Sequence, residues 1–295
     1  MGPSASETGA SGRQSLLIPC KINTYLGIHA ERDGRGYHRV DSVMVPVALY
    51  DTVVVDDAPE LDVCHEPALE VAPERTCVWR AAALLGDALG KEPRVRIHVA
   101  ARIPERAGLG GSSADAGATL RLLAQRWGVS VLDERVVAVA RRVGADVAFF
   151  LDPVPGLYVG AGDVRERSFA PVELPLALVM PAEGGVSTPE AYAEFDRSGD
   201  AAAGYDAACV ALEAGDVEAI AASLYNNLGP AACVLNTEVA RICAWLGEQS
   251  GVLGSQVTGS GACSFAICTS DAAAKRIAGD ARARGWRAWA THTVG

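Results

Sequence analysis

The feature that most constrains this chain is a glycine- and serine-rich segment between a strand pattern and a helix pattern. It covers residues 104–116 and contains three glycines and two serines. Apolar and polar residues alternate over 94–99, which predicts a half-buried strand before the segment. Apolar residues recur at helical spacing over 120–127, which predicts a helix that begins near Ser112 or Ser113. The segment is therefore a loop that leads from a strand into a helix.

Such a loop suits a phosphate group. The first amides of a helix have no partner within it, and the positive end of the helix dipole favours anions. Glycines let the backbone approach a ligand closely. The phosphate-binding residues predicted on this basis are Pro104, Ala107, Gly108, Leu109, Gly110, Gly111, Ser112, Ser113 and Ala114. The alternative is a glycine-rich turn that only leads into a core helix.

The spacing excludes two common nucleotide loops. A Walker loop requires a lysine after its last glycine, and 104–116 contains none. A dinucleotide-binding fingerprint requires a third glycine where this chain has Ser113.

Composition limits the class of protein. The 295 residues are 49% hydrophobic, enough for one large domain or two ordinary ones. The formal net charge of −10 argues against nucleic acid or an anionic membrane surface as a partner. The eight cysteines form no Cys-x-x-Cys pair, so neither a zinc site nor a disulfide framework is indicated.

The N-terminal residues and the apolar runs bear on where the protein is located. Residues 1–14 are mostly small and polar, so we expect a disordered lead rather than a signal peptide. No apolar run is long enough to cross a membrane. We therefore expect a cytoplasmic location.

Secondary-structure patterns alternate irregularly along the chain. Strands are predicted over 15–28, 41–55, 95–99, 144–150 and 174–180, with a strand-loop-strand over 257–268. Helices are predicted over 76–90, 133–144, 188–198, 205–228 and 236–249. Because no regular βαβ period appears, an α+β fold is favoured over a doubly wound sheet, with domains at 15–160 and 161–295.

Six motifs in this order resemble one family. They are residues 19–23, 33–38, 104–116, 144–147, 185–189 and 258–263. The chain from about residue 15 to about 270 resembles the 4-diphosphocytidyl-2-C-methyl-D-erythritol kinases. These are ATP-dependent kinases of the non-mevalonate isoprenoid route, within the superfamily of galactokinase and of homoserine, mevalonate and phosphomevalonate kinases.

The resemblance implies a two-domain GHMP-kinase-like fold with the active site in the interdomain cleft. ATP would bind at the loop, with Mg²⁺ accompanying the nucleotide. Asp146 would be the base that takes the proton of the acceptor hydroxyl, and Lys21 would neutralise charge beside it. The turn around Thr258 would support the catalytic loop. These roles suit a reaction in which positioning and electrostatics do most of the work.

The resemblance also implies a small-molecule acceptor that carries a cytidine diphosphate. Tyr37 would stack on the cytosine and the His38 imidazole would hydrogen-bond its polar edge. Thr188 and Tyr192 match the other side of that pocket. Asn23 would hydrogen-bond acceptor hydroxyls or phosphate near Lys21.

The chain departs from the family pattern at several positions. The loop has one glycine fewer before its serines, which leaves open which serine reaches the phosphates or magnesium. Cys20 replaces a common alanine, Thr76 stands where asparagine is frequent beside the adenine, and Asn227 stands where aspartate is usual.

Two other functions stay open at this stage. One is a different kinase of the superfamily, acting on homoserine or a mevalonate derivative, and the other is a catalytically silent nucleotide-binding relative. We expect no nucleic-acid or membrane partner, a monomer or weak homodimer, and no protein ligand set for Mg²⁺ that the sequence identifies.

Overall fold

The structure is a computed structural model, and it describes residues 7–8, 12–34 and 36–294. Of the predicted lead, residues 1–6 and 9–11 lie outside the described residues. Glu7–Thr8 form a short strand paired with Gln14 and Ser15.

The chain divides into two compact units that interleave in sequence. Unit 1 comprises residues up to Cys20, Leu49–Pro104 and Gly110–Pro153. Unit 2 comprises Lys21–Ala48, Glu105–Leu109 and Val154–Gly295. This division differs from the single boundary expected near residue 160, because two N-terminal segments group with the C-terminal part.

Helices and strands alternate irregularly, which confirms the α+β class. In the described part of the chain the strands are β1 Glu7–Thr8, β2 Gln14–Arg32, β3 His38–Asp57, β4 Asp62–Glu66, β5 Val95–Ala100, β6 Gly156–Val159, β7 Val164–Ser168, β8 Pro175–Met180, β9 Tyr225–Asn226, β10 Val252–Val257, β11 Ser264–Cys268 and β12 Arg287–His292.

The α-helices of the same part are α1 Cys77–Leu89, α2 Gly111–Arg126, α3 Glu134–Val143, α4 Thr188–Ser198, α5 Asp206–Ala214, α6 Val217–Ala222, α7 Gly229–Leu235, α8 Thr237–Gly247 and α9 Asp271–Ala283. Short 3-10 helices cover Pro73–Arg75 and Ala145–Leu151. None of the described helices is both long and apolar enough to cross a membrane.

Unit 1 joins a strand layer to three helices. Thr52–Asp57 of β3 pairs antiparallel with β5, and β4 pairs parallel with β5. Each helix end follows a sequence signal. Thr76 caps α1, Asp133 caps α3, and Gly90 ends α1 in the left-handed conformation. The predicted stripe of α2 is buried at Leu120, Leu123 and Ala124.

Unit 2 contains a four-stranded antiparallel sheet in the order β10-β11-β8-β12. One hydrophobic cluster of this unit packs Ala177, Val179 and Ala266 of the sheet with Ile242 of α8 and Ile277 of α9. The remainder of the unit pairs Ser42–Met44 of β3 with β6, and Tyr25 and Leu26 of β2 with β9.

The prediction of a strand over 144–150 is wrong. This segment is the 3-10 helix Ala145–Leu151, with Val147 N donating to Gly144 O at 3.2 Å. A short apolar run does not distinguish a buried strand from a buried helix by periodicity. The tertiary contact decides here, because Gly117 of α2 has no side chain and lets Phe150 lie against its backbone.

The single helix predicted over 205–228 is also wrong. The segment contains α5, α6 and β9. Gly215 ends α5 in the left-handed conformation, and the Asp216 carboxylate starts α6 by accepting from Glu218 N and Ala219 N. Gly-Asp is a stop-and-start signal for helices, and it overrides the continuous apolar pattern.

Candidate active site

Lys21 is a buried cation held by a hydrogen-bond network in unit 2. It lies within β2 and is 3% exposed. Its Nζ donates to Asn23 Oδ1 at 2.7 Å, and its backbone N donates to Leu109 O at 3.0 Å. Burial of an ammonium is costly unless it is paired, so these contacts are what hold the charge at this position.

Asn23 is the centre of that network. It is 2% exposed, and its Nδ2 donates to Ser42 Oγ at 2.8 Å. Thr258 Oγ1 accepts from Asn23 N at 3.1 Å and lies 3.2 Å from Asn23 Oδ1. With its amide oriented by these neighbours, Asn23 presents an acceptor to Lys21. Asn23 thus lies next to Lys21, and its predicted contact with acceptor hydroxyls or phosphate stays a prediction.

The turn 258–263 also carries the first half of the glycine loop. Ala262 N donates to Arg106 O at 3.0 Å, and Cys263 N donates to Ala107 O at 3.1 Å. The Thr258 hydroxyl lies 3.3 Å from Gly108 O. These contacts join the turn to residues 106–108 of the loop, and the role of the turn in supporting a catalytic loop stays a prediction.

Two glycines make this contact possible. Gly108 has a φ of +72°, and a Cβ there would lie 2.0 Å from Thr258 O. Gly259 has a φ of +56°, and a Cβ there would lie 3.3 Å from Lys21 Nζ. Neither position has room for a larger residue, since backbone atoms or the cation occupy that space.

The second half of the loop starts α2 in unit 1. The N-cap is Gly110, in the left-handed conformation at φ 77°, and it supplies no side-chain hydrogen bond to the helix. The helix begins at Gly111, slightly before the predicted start at Ser112 or Ser113. Because this helix N-terminus has no side-chain cap, its first backbone amides and the positive end of its dipole are available to an anion. Phosphate binding at a helix N-terminus depends on these two features.

A buried carboxyl pair lies beneath this helix end. Asp115 of α2 is 5% exposed and Asp51 of β3 is 1% exposed, and their side chains hydrogen-bond to each other. Burial, together with the neighbouring Asp51 carboxylate, raises the pKa of Asp115 well above its usual value. Asp115 therefore keeps the proton of the pair and donates it to Asp51.

Asp51 in turn holds the backbone that precedes the loop. Its Oδ1 accepts from Arg102 N and, at 2.7 Å, from Ile103 N. The pair thus joins the residues before the glycine loop to the helix after it. The sequence analysis did not identify either aspartate, because the two are far apart in sequence and each resembles an ordinary polar residue at an element end.

The two loop serines differ in exposure. Ser112 is exposed, and Ser113 is half-buried.

Asp146 belongs to unit 1, in the first turn of the 3-10 helix Ala145–Leu151. It is half-buried, as predicted, while Val147, Phe149 and Phe150 are buried and fix the helix in the unit. Its approach to Lys21 of unit 2 stays a prediction.

Tyr37 lies at the end of the turn that joins β2 to β3. Its backbone N donates to Asp33 Oδ1 at 3.0 Å, and its carbonyl accepts from Asp33 N at 2.8 Å. The turn is thus held by Asp33, while the Tyr37 side chain is 60% exposed. An exposed ring on a fixed turn is able to stack on a ligand.

His38 is more deeply engaged than the sequence indicated. It is 5% exposed, and its Nδ1 donates to His29 O at 2.6 Å. Its Nε2 lies 3.0 Å from Asp196 Oδ1 of α4. Nδ1 is therefore hydrogen-bonded within the protein, whereas Nε2 is buried close to Asp196 and forms no hydrogen bond. Sequence reasoning missed Asp196.

The predicted residues Tyr192 and Thr188 lie on the same helix. The Tyr192 ring centroid lies 5.5 Å from that of His38. Thr188 Oγ1 lies 2.9 Å from Ser260 Oγ of the turn 258–263. Unit 2 thus brings Tyr192 next to His38, and Thr188 connects α4 to the turn that contacts the glycine loop.

The departures from the family pattern have local structural explanations. Thr76 Oγ1 accepts from Trp79 N at 3.2 Å and donates to Pro73 O at 2.7 Å, so it is a helix cap. Asn227 accepts from Ile28 N at 2.8 Å and donates to Ile28 O at 2.9 Å. An aspartate could not donate the second bond. Cys20 is fully buried in β2.

The described residues contain no cluster of three or more His, Cys, Asp or Glu side chains that could hold a metal ion. Magnesium in kinases is bound largely through the substrate phosphates and needs few protein ligands. The residues present are compatible with such binding, and they identify no dedicated ligand set.

Comparison with known proteins assigns the family. Residues 76–152 match the model of the GHMP kinases N terminal domain, and residues 208–285 match that of the GHMP kinases C terminal. A 4-diphosphocytidyl-2-C-methyl-D-erythritol kinase of Desulfitobacterium hafniense is 35% identical over 284 residues, covering 95% of each chain. That of a Nocardioides species is 35% identical over 279 residues, covering 90% of this chain and 92% of its own.

A comparison with solved structures leads to the same family. A crystal structure of 4-(cytidine 5'-diphospho)-2C-methyl-D-erythritol kinase superposes with a TM-score of 0.76 at 30% identity, covering 95% of this chain and 99% of that one. Homoserine kinase from Cytophaga hutchinsonii gives a TM-score of 0.69 at 17% identity, over 98% of this chain and 97% of its own. The latter likeness shows the fold alone. The chain belongs to the 4-diphosphocytidyl-2-C-methyl-D-erythritol kinase family of GHMP kinases and is an ATP-using small-molecule kinase.

Proposed function

We propose that this chain transfers the γ-phosphate of ATP to the 2-hydroxyl of 4-diphosphocytidyl-2-C-methyl-D-erythritol, in the non-mevalonate route to isoprenoid precursors. The observation that carries the proposal is the buried Lys21 ammonium. It donates to Asn23, whose backbone N donates to Thr258 of the turn that also contacts residues 106–108 of the glycine loop. A fixed cation beside an anion-binding loop is what a phosphoryl transfer requires.

Asp146 is the proposed base and Lys21 its electrostatic partner. A carboxylate within about 2.6–3.2 Å of the acceptor hydroxyl takes its proton as the new P–O bond forms. The Lys21 ammonium would lower the energy of the negative charge that develops on the transferred group. Asn23 keeps the ammonium at this position through the contact at 2.7 Å and is the proposed contact to acceptor hydroxyls or phosphate.

The glycine loop is the proposed ATP site. Gly110 leaves the start of α2 without a side-chain cap. The amides of Gly111, Ser112 and Ser113 are the groups we assign to the phosphates. Magnesium, when bound with the nucleotide, would neutralise phosphate charge.

The proposed cytidyl pocket combines the β2–β3 hairpin with α4. Tyr37 presents an exposed ring for stacking, and Tyr192 lies beside His38 for the opposite face. When the His38 imidazole binds the base, His38 Nε2 would turn from Asp196 to an atom of the base. Thr188 would bind the same substrate near Ser260.

The remaining expectations concern partners and location. We propose that the enzyme works in the cytoplasm as a monomer or weak homodimer, with neither nucleic acid nor membrane among its partners. The negative charge of the chain supports the exclusion of polyanions.

The test is a coupled ADP-release assay of the purified chain with ATP and Mg²⁺. The acceptors compared are the cytidyl substrate, 2-C-methyl-D-erythritol 4-phosphate, homoserine and mevalonate. We expect turnover with the cytidyl substrate and a loss of at least about 100-fold in kcat/KM without its base, because a stacked base contributes about 1–3 kcal/mol and its polar contacts add to this. Equal or better turnover of another acceptor would refute the assignment.

A further inference from the structure

The side-chain amide of Asn226, in β9, holds the beginning of the turn 258–263. Its Nδ2 donates to Val257 O at 2.8 Å and to Gly259 O at 2.9 Å. These two carbonyls lie on either side of Thr258, which is fully buried. One half-buried side chain therefore fixes the backbone before and after this threonine.

The same amide is attached to two further elements of unit 2. Its Oδ1 accepts from Leu228 N at 2.9 Å and from Gly229 N at 3.1 Å, where α7 begins. With the two donated bonds, both donors and both lone pairs of the amide are in use. The backbone of Asn226 pairs with Leu26 of β2, the strand that also carries Lys21. The amide is thus held by regular secondary structure and can determine where the turn lies.

The backbone that this amide holds lies against two parts of the proposed site. A Cβ on Gly259 would lie 3.3 Å from Lys21 Nζ, so the Gly259 backbone borders the ammonium. Thr258 Oγ1 accepts from Asn23 N at 3.1 Å and lies 3.3 Å from Gly108 O. A shift of the Thr258–Gly259 peptide would therefore reach both the cation and the glycine loop.

The neighbouring Asn227 serves a different purpose. Its Oδ1 accepts from Ile28 N at 2.8 Å, and its Nδ2 donates to Ile28 O at 2.9 Å and to Asp200 O at 3.0 Å. These bonds join β2 to the segment after α4. Of the two adjacent asparagines, Asn226 is the one whose amide donates to the turn.

We propose that Asn226 is a positioning residue of the phosphoryl transfer, whose two donated bonds keep the Thr258–Gly259 peptide in place beside Lys21 and Gly108. The inference rests on the proposed function. Without the donors, the Gly259 carbonyl is released next to the ammonium and competes with the phosphate for it. The loop loses its fixed neighbour at the same time. Both changes act on the transition state, in which the cation and the loop must be in place together.

Three variants separate this role from that of an ordinary helix cap. Asn226→Asp keeps an acceptor for the start of α7, but its second oxygen faces two carbonyls to which it cannot donate. Asn226→Ser is an uncharged second variant whose hydroxyl is one atom shorter than the amide. Asn236→Asp is the matched control, because Asn236 Oδ1 caps α8 by accepting from Glu238 N at 3.1 Å. Aspartate caps a helix as well as asparagine does.

The first test is hydrogen exchange followed by mass spectrometry, which does not depend on activity. We expect peptides covering 258–263 to exchange at least about fivefold faster in both Asn226 variants than in wild type or Asn236→Asp, because two hydrogen bonds to the turn are lost. In Asn226→Asp, peptides from α7 should exchange as in wild type. Unchanged exchange of the turn would overturn the proposal. Loss of the whole fold in both variants would also overturn it, because the amide would then not act on the turn in particular.

The second test measures ADP release with ATP and the cytidyl substrate below the melting temperature of each variant. We expect kcat to fall by about 10–100-fold in both Asn226 variants, with KM for the cytidyl substrate within about threefold of wild type. Asn236→Asp should keep the wild-type kcat. A merely structural residue would lower the melting temperature and leave kcat unchanged, so that result, or a rise in KM alone, would refute the positioning role.

The two tests also distinguish this inference from the proposed function. If the wild-type chain did not turn over the cytidyl substrate, the proposed function would fail, while hydrogen exchange would still decide whether Asn226 holds the turn. If the wild type were active and both Asn226 variants matched its kcat, only the positioning role would be refuted.

Discussion

Two regions of the molecule, the surroundings of Lys21 in unit 2 and the start of α2 in unit 1, are built by opposite means. Around Lys21, side chains determine the position: Asn23, Ser42 and Thr258 form a buried network that orients one cation. At the start of α2, the absence of side chains determines the site, because Gly110 offers no cap and leaves backbone amides for a ligand.

The two regions should therefore be sensitive to different kinds of substitution. A charge held in a network is lost when one side chain is removed, and its partners then remain buried without it. A backbone site is lost when a side chain is added, because a Cβ displaces the chain. Removing a side chain should therefore impair the region around Lys21, and adding a side chain should impair the loop.

Between these two regions, the largest effect is expected from removing the cation. Lys21→Met should reduce kcat by about 10²–10³-fold, the magnitude seen when one stabilising group is lost from a transition state. ADP release measures the rate. Lys91→Met is the control, because Lys91 is an exposed lysine outside the network and should leave kcat unchanged. Equal activity of both variants would show that the network does not serve catalysis.

The second effect comes from adding one methyl group to the loop. Gly108→Ala would place a Cβ 2.0 Å from Thr258 O, so the loop must move. We expect kcat/KM for ATP to fall by about 100-fold, since displacements of about 1 Å have effects of this size. Gly285→Ala is the control, because Gly285 has a φ of +85° and open space around it. If both variants lost activity alike, backbone strain rather than the contact with Thr258 would be the cause.

A third, smaller effect concerns the acceptor side. Tyr37→Ala should raise KM for the cytidyl substrate by about 5–160-fold, because stacking of a base contributes about 1–3 kcal/mol. KM for ATP and the melting temperature should stay the same, since the ring is 60% exposed. Leu132→Ala, which removes another exposed side chain, should leave both KM values unchanged. An unaltered KM for the cytidyl substrate in Tyr37→Ala would remove Tyr37 from the pocket.

The smallest expected effect concerns the carboxyl pair formed by Asp115 and Asp51. The pKa of Asp115 is raised in the folded chain, so the folded state holds a proton that the unfolded chain releases above about pH 4. Stability should therefore fall with rising pH up to the raised pKa, by at most about 1.4 kcal/mol per pH unit.

Asp115→Asn keeps a donor to Asp51 and does not titrate, so it should lose less stability over this range. Thermal unfolding between pH 5 and 8 should show a melting-temperature difference between variant and wild type that grows with pH. A constant difference would mean that the pair does not retain its proton.

Local signals explain which elements were predictable. The helix 188–198 matches α4, and the helix over 76–90 matches α1 with its Thr76 cap and Gly90 end. The glycine loop begins a helix within two residues of the prediction. In each case the signals used, such as the cap and stop residue of α1 or the apolar period of α2, lie within or next to the element, so no distant contact is needed to recognise it.

Tertiary contacts explain what the sequence did not reveal. The 3-10 helix Ala145–Leu151 depends on Gly117 of α2, which admits Phe150. His38 is engaged by Asp196, which lies on a different element. Neither contact is visible in the local sequence pattern. His38 could therefore be assigned to the pocket by resemblance, but the residues around it could not be predicted.

The central claim, that Asp146 is the base of a phosphoryl transfer, is tested most directly with Asp146→Asn. The variant keeps the shape of the side chain and removes its ability to take a proton. ADP release and ATP binding are measured on the same preparation. We predict a fall in kcat of about 10²–10⁴-fold with an ATP Kd within about threefold of wild type. A variant that keeps most of its kcat would contradict the account.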